Sequence, residues 1–146
     1  MNTADPVTEL ERLVIGAVGL TTRALAEAAP GTELTFPQWR AILIVGEEAG
    51  GARVGQVAAR VGVTLPATSR LLHRLAQRGL VILEPDELDH RATRARLTDA
   101  GAAVRSSILR YRRDALREVA VAMEVERRGP FTATVAALAD ALGAFA

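Results

Sequence analysis

Residues 54–81 read VGQVAARVGVTLPATSRLLHRLAQRGLV, and no other stretch restricts the fold as tightly. Val54, Val57, Ala58 and Val61 recur at helical spacing up to Gly62. Thr64 then stands where a second helix needs a side-chain cap, and Thr68, Leu71, Leu72 and Leu75 form the apolar stripe of that helix. Gly79 closes it as a left-handed cap. Two helices across a tight Gly62-Val63 turn make a helix-turn-helix, in which the first helix props the second and the second can enter the major groove of duplex DNA. The side facing the groove should be polar and reachable. Pro66, Ala67, Ser69, Arg70, His73, Arg74 and Gln77 lie opposite the stripe and meet that condition. Arginine suits the task because its planar fork can bond two acceptors of guanine at once or clamp a phosphate.

A charged helix face is, by itself, most often a solvated surface. The segment after Gly79 is more specific. Residues 80–84 are apolar and β-branched enough for a strand, residues 85–91 read as a turn, and residues 93–97 alternate with Arg94 and Arg96 on one side. The expected order is therefore a helix-turn-helix with a two-stranded hairpin directly behind it.

Helices are expected on both flanks. Asp5-Pro6 opens a long one with Leu10, Leu13, Val14, Ala17 and Val18 at helical spacing, running to Pro30-Gly31. Thr35 and Gln38 form a capping-box pair ahead of WRAILIV, a buried helix expected to run to Gly50-Gly51. Thr98 caps a further helix with a stripe at Val104, Ile108, Ala115, Val119 and Met123. After RRGP a last helix shows Phe131, Val135, Leu138 and Leu142. At 146 residues and 49% hydrophobic content this is one domain with a real core. The chain has no cysteine, which excludes disulfides, thiolate metal sites and thiol-based redox sensing. Its longest apolar runs, LVIGAVGL and AILIV, fall far short of the roughly 20 residues of a membrane span, so a cytoplasmic location with no membrane contact is expected. Net charge is only +1, but residues 53–98 hold eight arginines against four acidic residues, a basic centre between balanced or acidic ends.

DHRATRARLTDAG, residues 89–101, resembles the wing signature of the MarR-type (multiple antibiotic resistance regulator) winged helix-turn-helix family, with Asp89, Arg91, Arg94, Leu97, Thr98 and Gly101 on matching positions. RGLV at 78–81 and LTFPQWRAIL at 34–43 are similar too. The resemblance implies a mainly α fold with a small β-hairpin wing, the winged helix-turn-helix lobe at 34–98 and dimerisation helices at 1–33 and 99–146. It implies a homodimeric transcriptional regulator, a repressor, that binds an inverted repeat of double-stranded DNA through recognition helix 64–78 and wing 80–98. Asp89 and Arg91 would shape the wing turn, with Arg91 near the minor groove, where narrowness concentrates negative potential. Arg94 and Arg96 would face phosphates, and Thr98 would only cap the next helix. A small-molecule effector pocket is implied near Trp39 and Leu43, although a buried tryptophan is more often plain core.

Other functions find less support in the residues. His73 and His90 stand on the groove face and in the wing, without a second histidine at i+4, so no metal and no cofactor are expected. No aromatic residue falls between Arg53 and Thr98, which argues against single-strand binding by base stacking. There is no Gly-rich phosphate loop or nucleophile elbow, so an enzyme is not expected. The main competitor is a winged-helix module whose basic face docks an acidic protein.

Overall fold

The structure is a computed structural model that describes residues 5–28, 31, 33–122 and 125–143. In chain order the elements are α1 (Pro6–Ala28), α2 (Phe36–Val45), β1 (Ala52–Arg53), α3 (Val54–Val61), α4 (Leu65–Gln77), β2 (Val81–Pro85), β3 (Thr93–Leu97), α5 (Asp99–Ala122) and α6 (Val125–Gly143). The strands form one antiparallel sheet in the order β1-β3-β2, with Ala52 opposite Ala95, and Val81 and Leu83 opposite Leu97 and Ala95. The described residues up to Arg112 make one compact unit and those from Arg113 a second.

Local signals set the helix ends. Thr35 Oγ1 accepts the Gln38 N–H at 3.5 Å while Gln38 Oε1 accepts the Thr35 N–H at 2.9 Å, the reciprocal cap read from the sequence. At α4 the Thr64 hydroxyl accepts the Ala67 N–H at 3.4 Å. Gly62 (φ +78°) ends α3 and Gly79 (φ +70°) follows α4, both in the left-handed region that side chains resist.

Three boundaries depart from the expected ones. Helix α2 stops at Val45 rather than at Gly50-Gly51. There Gly46 passes so close to Arg105 and Leu97 that a Cβ would overlap both side chains, and the chain turns away toward β1. Strand β1 was not expected at all. It is only two residues long, and its pairing comes from the free edge of β3 rather than from any pattern of its own. Helix α6 starts at Val125, ahead of the expected start after Pro130, and carries that proline inside at the loss of one helical hydrogen bond. Met123 and Pro30 lie outside the described residues.

The core of the first unit lies where α2, α3 and α4 meet the sheet. Ile42, Val45, Val57, Leu72, Leu75 and Ala95 are fully buried there, as is Ile108 of α5. The joint between α4 and α5 is tied by Thr98. Its N–H donates to the Leu80 carbonyl at 3.2 Å, its hydroxyl donates to the Gly79 carbonyl at 2.6 Å, and the same hydroxyl accepts the Gly101 N–H at 3.0 Å. Thr98 thus ties the segment that ends α4 as well as capping α5, more than the capping role expected. Gly101 sits against this joint, where a Cβ would run into the Leu80 carbonyl oxygen. Gly101→Ala is expected to lower unfolding stability by about 1–3 kcal/mol through overpacking, read by denaturant melts; an unchanged midpoint would contradict that packing.

The ends of the chain look different. Val7, Leu10, Leu13, Val14, Ile15 and Val18 on α1 are exposed, and Ala24 is the one buried side chain of that helix among the described residues. In the second unit Leu116, Val119 and Val121 on α5 and Phe131, Val135 and Leu142 on α6 are exposed, with Leu138 half-buried.

Candidate nucleic-acid interface

Helix α4 buries Thr68, Leu72 and Leu75 and half-buries Leu71, which leaves the opposite face outward. Pro66, Arg70, His73, Arg74 and Gln77 are exposed there, and Ala67 and Ser69 are partly so. The face has two sides. Pro66 and Ser69 line a cleft of about 640 Å³ shared with Arg53, Gln56, Leu65, Arg91 and Thr93, while Ala67, Arg70 and Arg74 border a smaller groove of about 290 Å³ beside Thr35 and Gln38. His73 donates its Nδ1–H to the Ser69 carbonyl at 2.8 Å, and the residue is exposed.

The wing turn is organised by a residue that the sequence reading passed over. The Asp86 carboxylate is fully buried, and its Oδ1 accepts from the N–H groups of Leu88 and Asp89, each at 3.1 Å. It also pairs with two guanidinium groups, Arg53 Nη2 at 2.7 Å and Arg94 Nε and Nη2 at 2.8 Å. The Arg53 hydrogen bond, then that of Arg94 and the two backbone N–H groups, hold this carboxyl well below the usual carboxylate range against the opposing cost of burial. The Asp86 N–H donates to the Ala92 carbonyl at 2.9 Å and closes the turn.

Asp89 contributes the inner part of the same turn. Its carboxylate accepts the Arg91 N–H at 3.1 Å and its carbonyl accepts the Ala92 N–H at 2.8 Å. The guanidinium of Arg91 is exposed and has no ion-pair partner among the described residues, so Asp89 meets the backbone of Arg91 and not its charge. Arg94 and Arg96 do share a side of β3, as the alternation predicted, but they differ in what they hold. Arg96 pairs loosely with Glu84 at 3.2 Å on the surface, a contact worth about 0–1 kcal/mol and readily exchanged. Arg94 is committed: besides Asp86, its Nη1 donates to the carbonyls of Gly51 at 2.8 Å and Gly50 at 3.3 Å. The expectation that Arg94 faces phosphates is revised for this reason, because each of its nitrogens already has an acceptor.

Trp39 is buried beside Phe36, ring centroids 5.3 Å apart, and its indole N–H has no partner among the described residues; Leu43 is half-buried. His90 is exposed at the wing turn.

Residues 32–92 match the sequence model of the MarR family. No curated protein matches the chain. Among solved structures, FabT from Streptococcus pneumoniae in complex with DNA is similar at 17% identity and a TM-score of 0.79, over 96% of this chain and 97% of that one. A MarR family protein from Bacillus stearothermophilus is 23% identical with a TM-score of 0.75, over 94% and 95%. CouR from Rhodococcus jostii RHA1, bound to p-coumaroyl-CoA, is 21% identical with a TM-score of 0.70, over 94% and 96%. The matched segment spans the helix-turn-helix and the wing turn, and the chain shares the winged helix-turn-helix fold of these structures over nearly its whole length.

Proposed function

We propose that the protein is a homodimeric, sequence-specific DNA-binding transcriptional regulator that acts as a repressor and is released from its operator by a small-molecule effector. One observation carries this reading. Arg70, His73 and Arg74 on α4 stand outward on a helix whose other face is locked into the core, and Arg91 and Arg96 stand outward on the wing of the same lobe. The lobe at 34–98 is the DNA-binding part in this proposal, with Pro66, Ala67, Ser69, Arg70, His73 and Arg74 toward the major groove and Arg91 and Arg96 on the flanking backbone and minor groove. The activity is binding and not catalysis. FabT was determined with DNA and CouR with an acyl-CoA, which supports both halves of the reading on a shared fold. In this proposal the effector meets the buried Trp39, whose indole N–H has no partner among the described residues, and the neighbouring Leu43. No helix is long and apolar enough to cross a membrane among the described residues, in keeping with a protein that meets chromosomal DNA.

A second copy would cover the exposed apolar faces of α1 and α6, which a monomer would leave in water. Light scattering at micromolar concentration should read twice the 15.5 kDa of one chain. Leu142→Asp should weaken the dimer on the order of tenfold or more, by setting a charge in that contact, and should weaken DNA binding with it. A monomeric wild-type mass, or no salt-dependent shift of duplex DNA, would overturn the proposal. Binding of an acidic protein without any binding of DNA would replace it.

A further inference from the structure

The cluster at the root of the wing is unbalanced. Arg53 and Arg94 share one bonded carboxylate, Asp86, so these three groups sum to one positive charge, offset only by the longer-range pull of Asp89 on Arg53. That surplus has only one outlet. Arg94 is 23% exposed and has acceptors on Nε, Nη1 and Nη2. Arg53 is 36% exposed, and of its side-chain nitrogens only Nη2 is bonded among the described residues. It stands at the N-cap of α3 and forms a wall of the 640 Å³ cleft that runs between the first turn of α4 and the wing.

The other polar groups in that wall are Gln56, Ser69, Arg91 and Thr93, and no acidic side chain lines it. An anion is therefore the chemistry that this cleft accepts. Its place narrows the choice further. With α4 in a major groove and the wing at the neighbouring minor groove, the strand that passes between them presents sugar and phosphate, not base edges. A guanidinium can grip a carboxylate with one nitrogen and a phosphate with another, because its donors fan out in one plane. Asp86 also holds the arginine stem in place beforehand, so less rotamer freedom is lost when the phosphate arrives.

We propose that Arg53, held by the buried Asp86 and backed by Arg94, is a contact for a DNA backbone phosphate in the cleft between α4 and the wing. Arg94 is the strut of this arrangement and Arg53 the working end. The inference rests on the DNA-binding reading above, and the wild-type isotherm separates the two. If the wild type fails to bind duplex DNA, that reading falls and takes this one with it.

The test is the salt dependence of binding to a mixed-sequence duplex for wild type, Arg53→Gln and Arg53→Lys. Loss of one phosphate contact lowers the slope of log K against log salt by about 0.9 per protomer. Arg53→Gln should show that drop and bind selected and scrambled duplexes about equally worse, on the order of tenfold, while Arg53→Lys keeps the slope. A role limited to holding the wing would lower melting temperature or active fraction and leave the Arg53→Gln slope at its wild-type value, which would overturn the proposal. A measurement on wild type alone gives the same decision should the glutamine variant not fold. In the nitrogen NMR spectrum of the arginine side chains, the Arg53 resonance should move on adding duplex and that of Arg94 should hold. An unmoved Arg53 resonance would overturn it.

Discussion

Asp86→Asn is expected to lower the melting temperature by about 5–10 °C and to weaken DNA binding on the order of tenfold. The substitution keeps the shape of the side chain and removes its charge. Two guanidinium groups, at 2.7 and 2.8 Å, then lose the only carboxylate they share, and an amide NH2 faces donors where an oxygen accepted them. The wing turn loses its fixed point, since the same oxygen also accepts from Leu88 and Asp89. The effect has a pH signature. The Asp86 carboxyl titrates well below the ordinary range in the folded protein, chiefly because of Arg53. Its contribution is therefore fully present above the unfolded value near 3.9 and is lost as pH falls from there through the lower folded value. The gap in melting temperature between wild type and Asp86→Asn should be flat from about pH 7 to about pH 5 and should narrow below about pH 4. Equal melting temperatures at neutral pH, or a gap that closes between about pH 7 and 5, would contradict the buried clamp.

The second large effect is expected at Arg70. It is exposed in the second turn of α4, on the side away from Leu72 and Leu75, where an arginine fork can reach the edge of a base. Arg70→Ala should cost about 1–3 kcal/mol per half-site on a sequence selected from a random duplex pool, and about twice that when a dimer engages both half-sites. On scrambled duplex it should cost much less, because there the same side chain has only phosphate to meet. Arg96 makes the contrast. It sits on the wing in a loose surface pair with Glu84, and its replacement should weaken both duplexes equally and lower the salt slope by about one counterion. Arg91, exposed at the wing turn without an ion-pair partner among the described residues, should matter most on A·T-rich flanks, because a minor-groove arginine responds to groove width.

The helices and the hairpin could be read from the chain because their signals are local. Thr35 and Gln38 are three residues apart, Thr64 immediately precedes the helix it caps, and the apolar stripe of α4 repeats within its own turns. The buried clamp could not be read in the same way. Arg53 and Asp86 are 33 residues apart, and only the antiparallel pairing of β1 with β3 brings Arg53 opposite Arg94. The alternation in β3 correctly put Arg94 and Arg96 on one side, but alternation says nothing about depth, and depth separates a committed arginine from an available one. One local signal did exist. Asp86 follows Pro85 at the start of the turn and accepts the N–H groups two and three residues on, the habit of an Asx turn, as Asp89 does for Arg91. The early end of α2 at Gly46 has no such local mark, and the side chains packed against Gly46, those of Arg105 and Leu97, lie far along the chain.

The most direct test of whether the outward face of α4 and the wing is a DNA-reading surface is a set of binding isotherms for wild type, Arg70→Ala and Arg96→Ala. Each is measured on the selected and the scrambled duplex at several salt concentrations. The expected result is a steep loss of wild-type affinity with salt, an Arg70→Ala deficit confined mainly to the selected duplex, and an Arg96→Ala deficit equal on both with a shallower salt slope. If neither substitution changes affinity on either duplex, this face does not read DNA.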